Sequence, residues 1–168
     1  MPELDIQISV EDESWPDEAV LAAMAQSTLA AARFLAEEEK QPFPKQPPEL
    51  SLVFTDDASI REINAEWRGQ DKPTNVLSFP LAEPSELEAP DGPGLLLGDV
   101  ILAAGVCRSE AREKSVPLES HATHLVVHGT LHLLGYDHHD DGSAADMESR
   151  EVRALARIGI PDPYAGDR

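Results

Sequence analysis

The sequence predicts an α+β fold, a small mixed sheet covered by helices. Three observations carry this prediction: short stretches that alternate apolar and polar residues, longer stretches with helical spacing and readable ends, and an order of the two without strict βαβ alternation. With 168 residues, 41% of them hydrophobic, the chain suits a single domain, residues 1–168, able to bury a real core.

Residues 4–10 alternate apolar and polar, the period of a strand with one buried face. Ser14, with Asp17 three residues on, resembles a capping box for the Ala-rich helix that runs to Glu39. Residues 40–48 contain four prolines and form a connection, after which residues 50–55 read as a second strand. Ser59 and Glu62 make another capping box, opening a short helix that carries Arg61, Asn64, Trp67 and Arg68 and ends at Gly69. Residues 76–79 form a short extended segment before Pro80, and residues 82–94, with three prolines and two glycines, form an exposed loop. Residues 95–103 are apolar enough for a central strand, and residues 105–114 suit a helix. Pro117 fits the first turn of a long helix that reaches Leu134 and stops at Gly135. A last helix covers residues 143–158, closed by Gly159 and Pro161.

Thirteen Lys and Arg stand against 32 Asp and Glu, a formal charge of −19 that argues against a polyanionic partner by long-range repulsion. The distribution softens this, because Arg61, Arg68 and Lys72, then Arg108, Arg112 and Lys114, lie between the acidic stretches and leave room for a local cationic surface. No apolar run approaches the ~20 residues of a bilayer span, so no membrane partner is expected. The N-terminal stretch MPELDIQISVEDE does not resemble a secretory signal, and a cytoplasmic location is expected. Cys107 is the single cysteine, expected to be a small buried residue, so a metal site must come from His, Asp and Glu.

Residues 128–138 read HGTLHLLGYDH. His128 and His132 are one helical turn apart on one face, and Gly135 lets the chain turn so that His138 swings back as a third nitrogen. Three imidazoles suit one Zn2+ per chain, and a site with three protein ligands leaves the fourth position for water, whose pKa such a metal lowers to about 7. The H-x3-H-x2-G-x2-H spacing is that of the metzincin proteases, with Met147 downstream, but Gly129 occupies the position of their Glu general base. His121 and His124 share the helical stripe of His128 and His132, and either extend the site or flank it. Asp137 is a candidate acceptor for a ligand imidazole, and also a plain turn residue.

HGTLHLLGYDH together with RGQDKPTNVLSFP at residues 68–80 resembles the two signatures of the YbeY family of metal-dependent endoribonucleases. LLGDVIL at residues 96–102, the helix from Pro117 and residues 162–164 extend the likeness over most of the chain from Leu50 onward. The resemblance implies an α+β fold with the zinc site in a cleft, here formed by the end of the central helix and the following turn. It implies cleavage of single-stranded RNA, and a place in 3′-end maturation of small-subunit ribosomal RNA and in ribosome quality control. Carried over, the ligands are His128, His132 and His138, and the family's essential arginine matches Arg68. A guanidinium there would grip a phosphate by two hydrogen bonds, the alternative being a surface ion pair with Asp71. Thr74 and Ser78 are weaker candidates for phosphate contact. The partner implied is a ribosomal RNA precursor; the acidity of the chain further suggests that binding relies on the local basic residues or on a partner, such as ribosomal small-subunit proteins, that delivers the RNA. Competing readings are a metallohydrolase of a peptide or amide bond, and a ribosome-assembly factor with structural zinc.

Overall fold

The computed structural model describes residues 5–41, 48–81, 96–136 and 141–164. Along the chain they form β1 (Asp5–Val10), α1 (Glu18–Glu38), β2 (Glu49–Thr55), α2 (Asp57–Arg68), β3 (Val76–Pro80), β4 (Leu96–Ala103), α3 (Ala104–Lys114), α4 (Leu118–Leu133) and α5 (Asp141–Arg157). The sheet has the order β1-β2-β4-β3, with β1, β2 and β4 parallel and β3 antiparallel on the edge. This is the expected α+β architecture with a small mixed sheet. The expected loop at residues 82–94 lies outside the described residues.

Two helix starts differ from the sequence expectation. Ser14 does not cap α1; its amide and hydroxyl turn back to the Asp12 carboxylate, and the helix begins at Glu18 behind Asp17. The delay has a tertiary cause. Trp15 is buried against Phe54 and donates its indole N–H to the Thr55 carbonyl at 2.9 Å, which pins this turn to the end of β2. The cap of α2 is Asp56, whose side chain accepts from the Ser59 amide at 2.7 Å, so Ser59 sits inside the first turn instead of ahead of it.

Leu50, Leu52 and Phe54 of β2 alternate into the main core, shared with α1, α4 and α5. On the other face Val53 joins Ile60, Leu77, Ile101 and Ala103 in a smaller cluster with α2. β4 keeps this alternation from Val100 onward, but Leu97 breaks it and also enters the main core. The cause is a bulge: Glu49 pairs with Leu96 and Leu50 with Gly98, which leaves one extra residue on β4 and shifts the facing of its neighbours.

By length and apolar composition α1 would suffice to cross a bilayer, which departs from the expectation that no such stretch exists. Its Leu21, Leu29 and Leu35 side chains are buried in the core, so packing accounts for the apolar character. α5 is fastened to the end of α1 by Arg150 with Glu39 at 2.9 Å and Arg153 with Glu38 at 2.6 Å.

α4 is the central helix, in contact with α1, α3, α5, β3 and β4, and it is buried over most of its surface. At Gly129 the helix lies against Val100 of β4. A Cβ built there would lie 2.8 Å from Val100 Cγ1. Overpacking of this kind costs roughly 1–3 kcal/mol, against about 1 kcal/mol that Ala gains over Gly in a helix. Gly129→Ala is therefore expected to lower stability by on the order of 1 kcal/mol in urea unfolding, and an unchanged midpoint would show that Val100 steps aside freely.

Candidate metal centre and cleft

His128 and His132 emerge from the C-terminal half of α4, one turn apart and half-buried, with Nε2 of one 3.1 Å from Nε2 of the other. Leu134 closes the helix and Gly135, with φ +98°, turns the chain away as its spacing implied. His138 lies outside the described residues, as do Asp137 and His139; among the described residues no group of three metal-ligating side chains converges. The pair itself fits the expected ion. Two nitrogens bound to tetrahedral zinc at about 2.0–2.1 Å stand about 3.3 Å apart, close to the separation found between these two nitrogens.

Arg68 is the last residue of α2, ahead of Gly69, whose left-handed conformation (φ +68°) ends the helix. Its Nη2 donates to the Ser78 carbonyl at 2.8 Å, and the guanidinium carbon sits 5.0 Å from the centre of the Phe79 ring. Both residues belong to the edge strand β3, so the sheet edge fixes where this arginine stands. Asp71 is not its partner. That carboxylate binds Arg61 at 2.8 Å, both side chains being exposed. Ser78 meets Arg68 through its carbonyl.

These elements enclose one cleft of about 460 Å³, with Arg68, Ser78 and Pro80 on one wall and His128, His132 and Tyr136 on the other. Arg150 lies 4.9 Å from the Tyr136 ring centre and supports that wall from α5. Of the cationic residues expected to form a local surface, Arg68 is the one that lines this cleft among the described residues. Arg108 is turned instead to the Ser14 carbonyl, and Lys114 lies in two neighbouring pockets. The smaller of these, about 230 Å³, shares Val76 and His128 with the Arg68–His132 cleft and is bordered by Glu110, His121 and His124. His121 and His124 therefore flank the site. Burial pushes the His121 imidazole below its ordinary value, opposed by Glu110 at 2.8 Å, which Asn75 holds from the other side.

Comparison with known proteins fits these landmarks. A family model described as Endoribonuclease YbeY matches residues 7–159. A protein of that name from Agrobacterium fabrum is 60% identical over 168 residues, covering 99% of this chain and 98% of its own length. The chain belongs to the Endoribonuclease YbeY family. A second relative of that name, from Rhizobium etli, is 57% identical over 167 residues and is covered to 96% of its length. A protein from Thermotoga maritima, solved in solution, shares the fold with a TM-score of 0.53 at 20% identity, over 91% of each chain.

Within this YbeY-family fold the structure adds a residue that sequence reasoning did not single out. Glu151 of α5 is 1% exposed, and its carboxylate lies 3.0 Å from His128 Nδ1 and 2.9 Å from His124 Nε2. Burial by itself would raise this carboxyl, but the hydrogen bonds from the two histidines outweigh it and hold it down at about 2. A signal was present in the sequence. Met147, Glu151, Ala154 and Leu155 fall on one helical stripe, and three of the four are core residues, so an acid there is out of place unless it has partners. Cys107 is buried as expected, and its thiol is pushed up to about 12 by burial and the charge of Glu110.

Proposed function

We propose that this chain is a zinc-dependent endoribonuclease that cuts single-stranded RNA. The substrate proposed is a small-subunit ribosomal RNA precursor near its 3′ end, cut in the cytoplasm as part of ribosome maturation and quality control, with ribosomal small-subunit proteins as partners. One observation carries the reading: in a chain of an endoribonuclease family, an exposed arginine and a converging histidine pair face one cleft. His128, His132 and His138 would hold one zinc ion. When bound, that ion supplies Lewis acidity and an activated water at neutral pH.

The chain's own residues supply the rest. Arg68 offers a planar fork of donors to the scissile phosphate and offsets the charge that grows on it during displacement. Its link to the Ser78 carbonyl and the Phe79 ring holds the guanidinium at the rim before substrate arrives, which lowers the cost of ordering it. Tyr136 and Pro80 line the same cleft beside these groups.

A peptidase reading is weakened by packing as well as by sequence. A glutamate in place of Gly129 would have its Cβ driven against Val100, so this helix face leaves no room for the protease base. The decisive assay is cleavage of single-stranded RNA by wild type, Arg68→Ala and Arg68→Lys. Arg68→Ala is expected to lower kcat by about 10²- to 10³-fold, the scale of losing one transition-state donor, with Arg68→Lys recovering part of it. Arg68 is exposed, so the melting temperature should hardly move. Wild-type cleavage by Arg68→Ala would remove the phosphate-facing role.

A further inference from the structure

Glu151 is the acid of the buried core among the described residues. Its Oε1 lies 2.9 Å from His124 Nε2, 3.0 Å from His128 Nδ1 and 3.1 Å from the Tyr164 hydroxyl, which also reaches Oε2 at 3.2 Å. An ionised carboxylate has no hydrogen to give, so each partner must bring its own. A ligand imidazole is neutral, so a His128 that donates from Nδ1 keeps its lone pair on Nε2. That is the nitrogen that faces His132 Nε2 at 3.1 Å.

We propose that Glu151 is a positioning residue for the metal pair, selecting the His128 tautomer that aims Nε2 at the position shared with His132, and that Tyr164 holds the carboxylate in place for this task. The inference rests on the metal reading above. Met147, Ala154 and Leu155 on the same stripe of α5 are apolar core residues, so a buried acid at this point depends on its polar partners for compensation. What a carboxylate adds is direction. A ligand imidazole whose far nitrogen is hydrogen-bonded to a carboxylate is fixed in rotation and made more basic. Tyr164 sits beyond α5, with its amide bonded to the Asp162 carboxylate at 2.8 Å, so the segment after the last helix is tied to the metal centre through one hydroxyl.

The test is zinc affinity, measured at neutral pH by competition with a chromogenic chelator, on the full chain as wild type, Glu151→Gln, Tyr164→Phe and Glu110→Gln. Melting in the presence of EDTA reports the fold of each metal-free chain. Wild type should take up one zinc, and Glu151→Gln should bind about 10- to 100-fold more weakly. Tyr164→Phe should weaken binding by a smaller factor with an unchanged metal-free melt. Glu110→Gln loosens a neighbouring carboxylate that holds His121 and should keep wild-type affinity. A folded Glu151→Gln with wild-type affinity overturns the proposal and leaves Glu151 as fold glue only. If Glu151→Gln does not fold, wild-type affinity in Tyr164→Phe overturns it instead. Equal losses in Glu110→Gln and Glu151→Gln would also overturn it, because the effect would not be specific to the group facing His128. A wild type that takes up no zinc removes the metal reading itself, and this inference with it, a result distinct from zinc uptake that Glu151 does not influence.

Discussion

His132→Ala is expected to abolish the zinc binding proposed above and to lower RNA cleavage on the order of a thousandfold or more, several kcal/mol of transition-state stabilisation being what a Lewis-acid metal supplies. The substitution removes one of two nitrogens that stand 3.1 Å apart and so breaks the chelate the pair would form on one face of α4. The fold should survive it. His132 is only half-buried at the cleft, whereas α4 is anchored by Leu125, Val126, Val127, Leu131 and Leu133, all in the main core. Zinc content by elemental analysis, cleavage of single-stranded RNA and a thermal melt together check the prediction. EDTA should likewise stop cleavage while leaving the chain folded. A chain that unfolds on chelation would instead have structural zinc.

Gly98→Ala is expected to be strongly destabilising. Gly98 has φ +147°, a region that side chains rarely adopt, and a Cβ there would lie 2.2 Å from the Phe79 carbonyl oxygen and 2.9 Å from Leu133 Cδ2. The first of these atoms is backbone on the paired strand β3, so it cannot rotate away; the edge strand must shift. Strain of about 1–3 kcal/mol adds to an overpacking cost of about 1–3 kcal/mol. For a chain of this length a loss near 4 kcal/mol corresponds to a melting temperature lower by roughly 10 °C. Function should suffer with it. Ser78 and Phe79, which hold Arg68, lie on β3, so cleavage should fall even below the melting transition. A Gly98→Ala chain that melts and cleaves like wild type would mean that the bulge in β4 relaxes without moving β3.

Much of the local structure was legible because its causes are local. Gly69 and Gly135 end their helices with positive φ, and the alternation in residues 4–10 corresponds to β1. Two N-terminal caps differ from the sequence expectation for a common reason: several Ser and Asp residues compete near a helix start, and the winner is chosen by what the preceding turn is doing elsewhere. Trp15 on Thr55 delays α1, and Asp56 at the end of β2 displaces Ser59 as the cap of α2. α3 lacks a capping side chain of its own at Ala103, yet the Asp57 carboxylate from α2 accepts from its Val106 amide at 3.1 Å. No pattern within α3 could announce that.

For the site, spacing on one helix determined that His128 and His132 share a face, since a turn of helix brings residues four apart together whatever surrounds them. The motifs also singled out Arg68 and set Gly129 against a protease. That Arg68 shares a cleft with the histidine pair was decided by tertiary structure, through the antiparallel pairing of β3 on β4 and the packing of α4 across them. So was the hydrogen-bonding partner of His128. Asp137, adjacent in sequence, was the candidate read from the motif; Glu151 reaches His128 from a helix 23 residues away in the chain. Helical geometry acts over a single turn and can be read from spacing, whereas the contact of a buried carboxylate with an imidazole depends on how two helices cross, which is settled only when the whole core is packed.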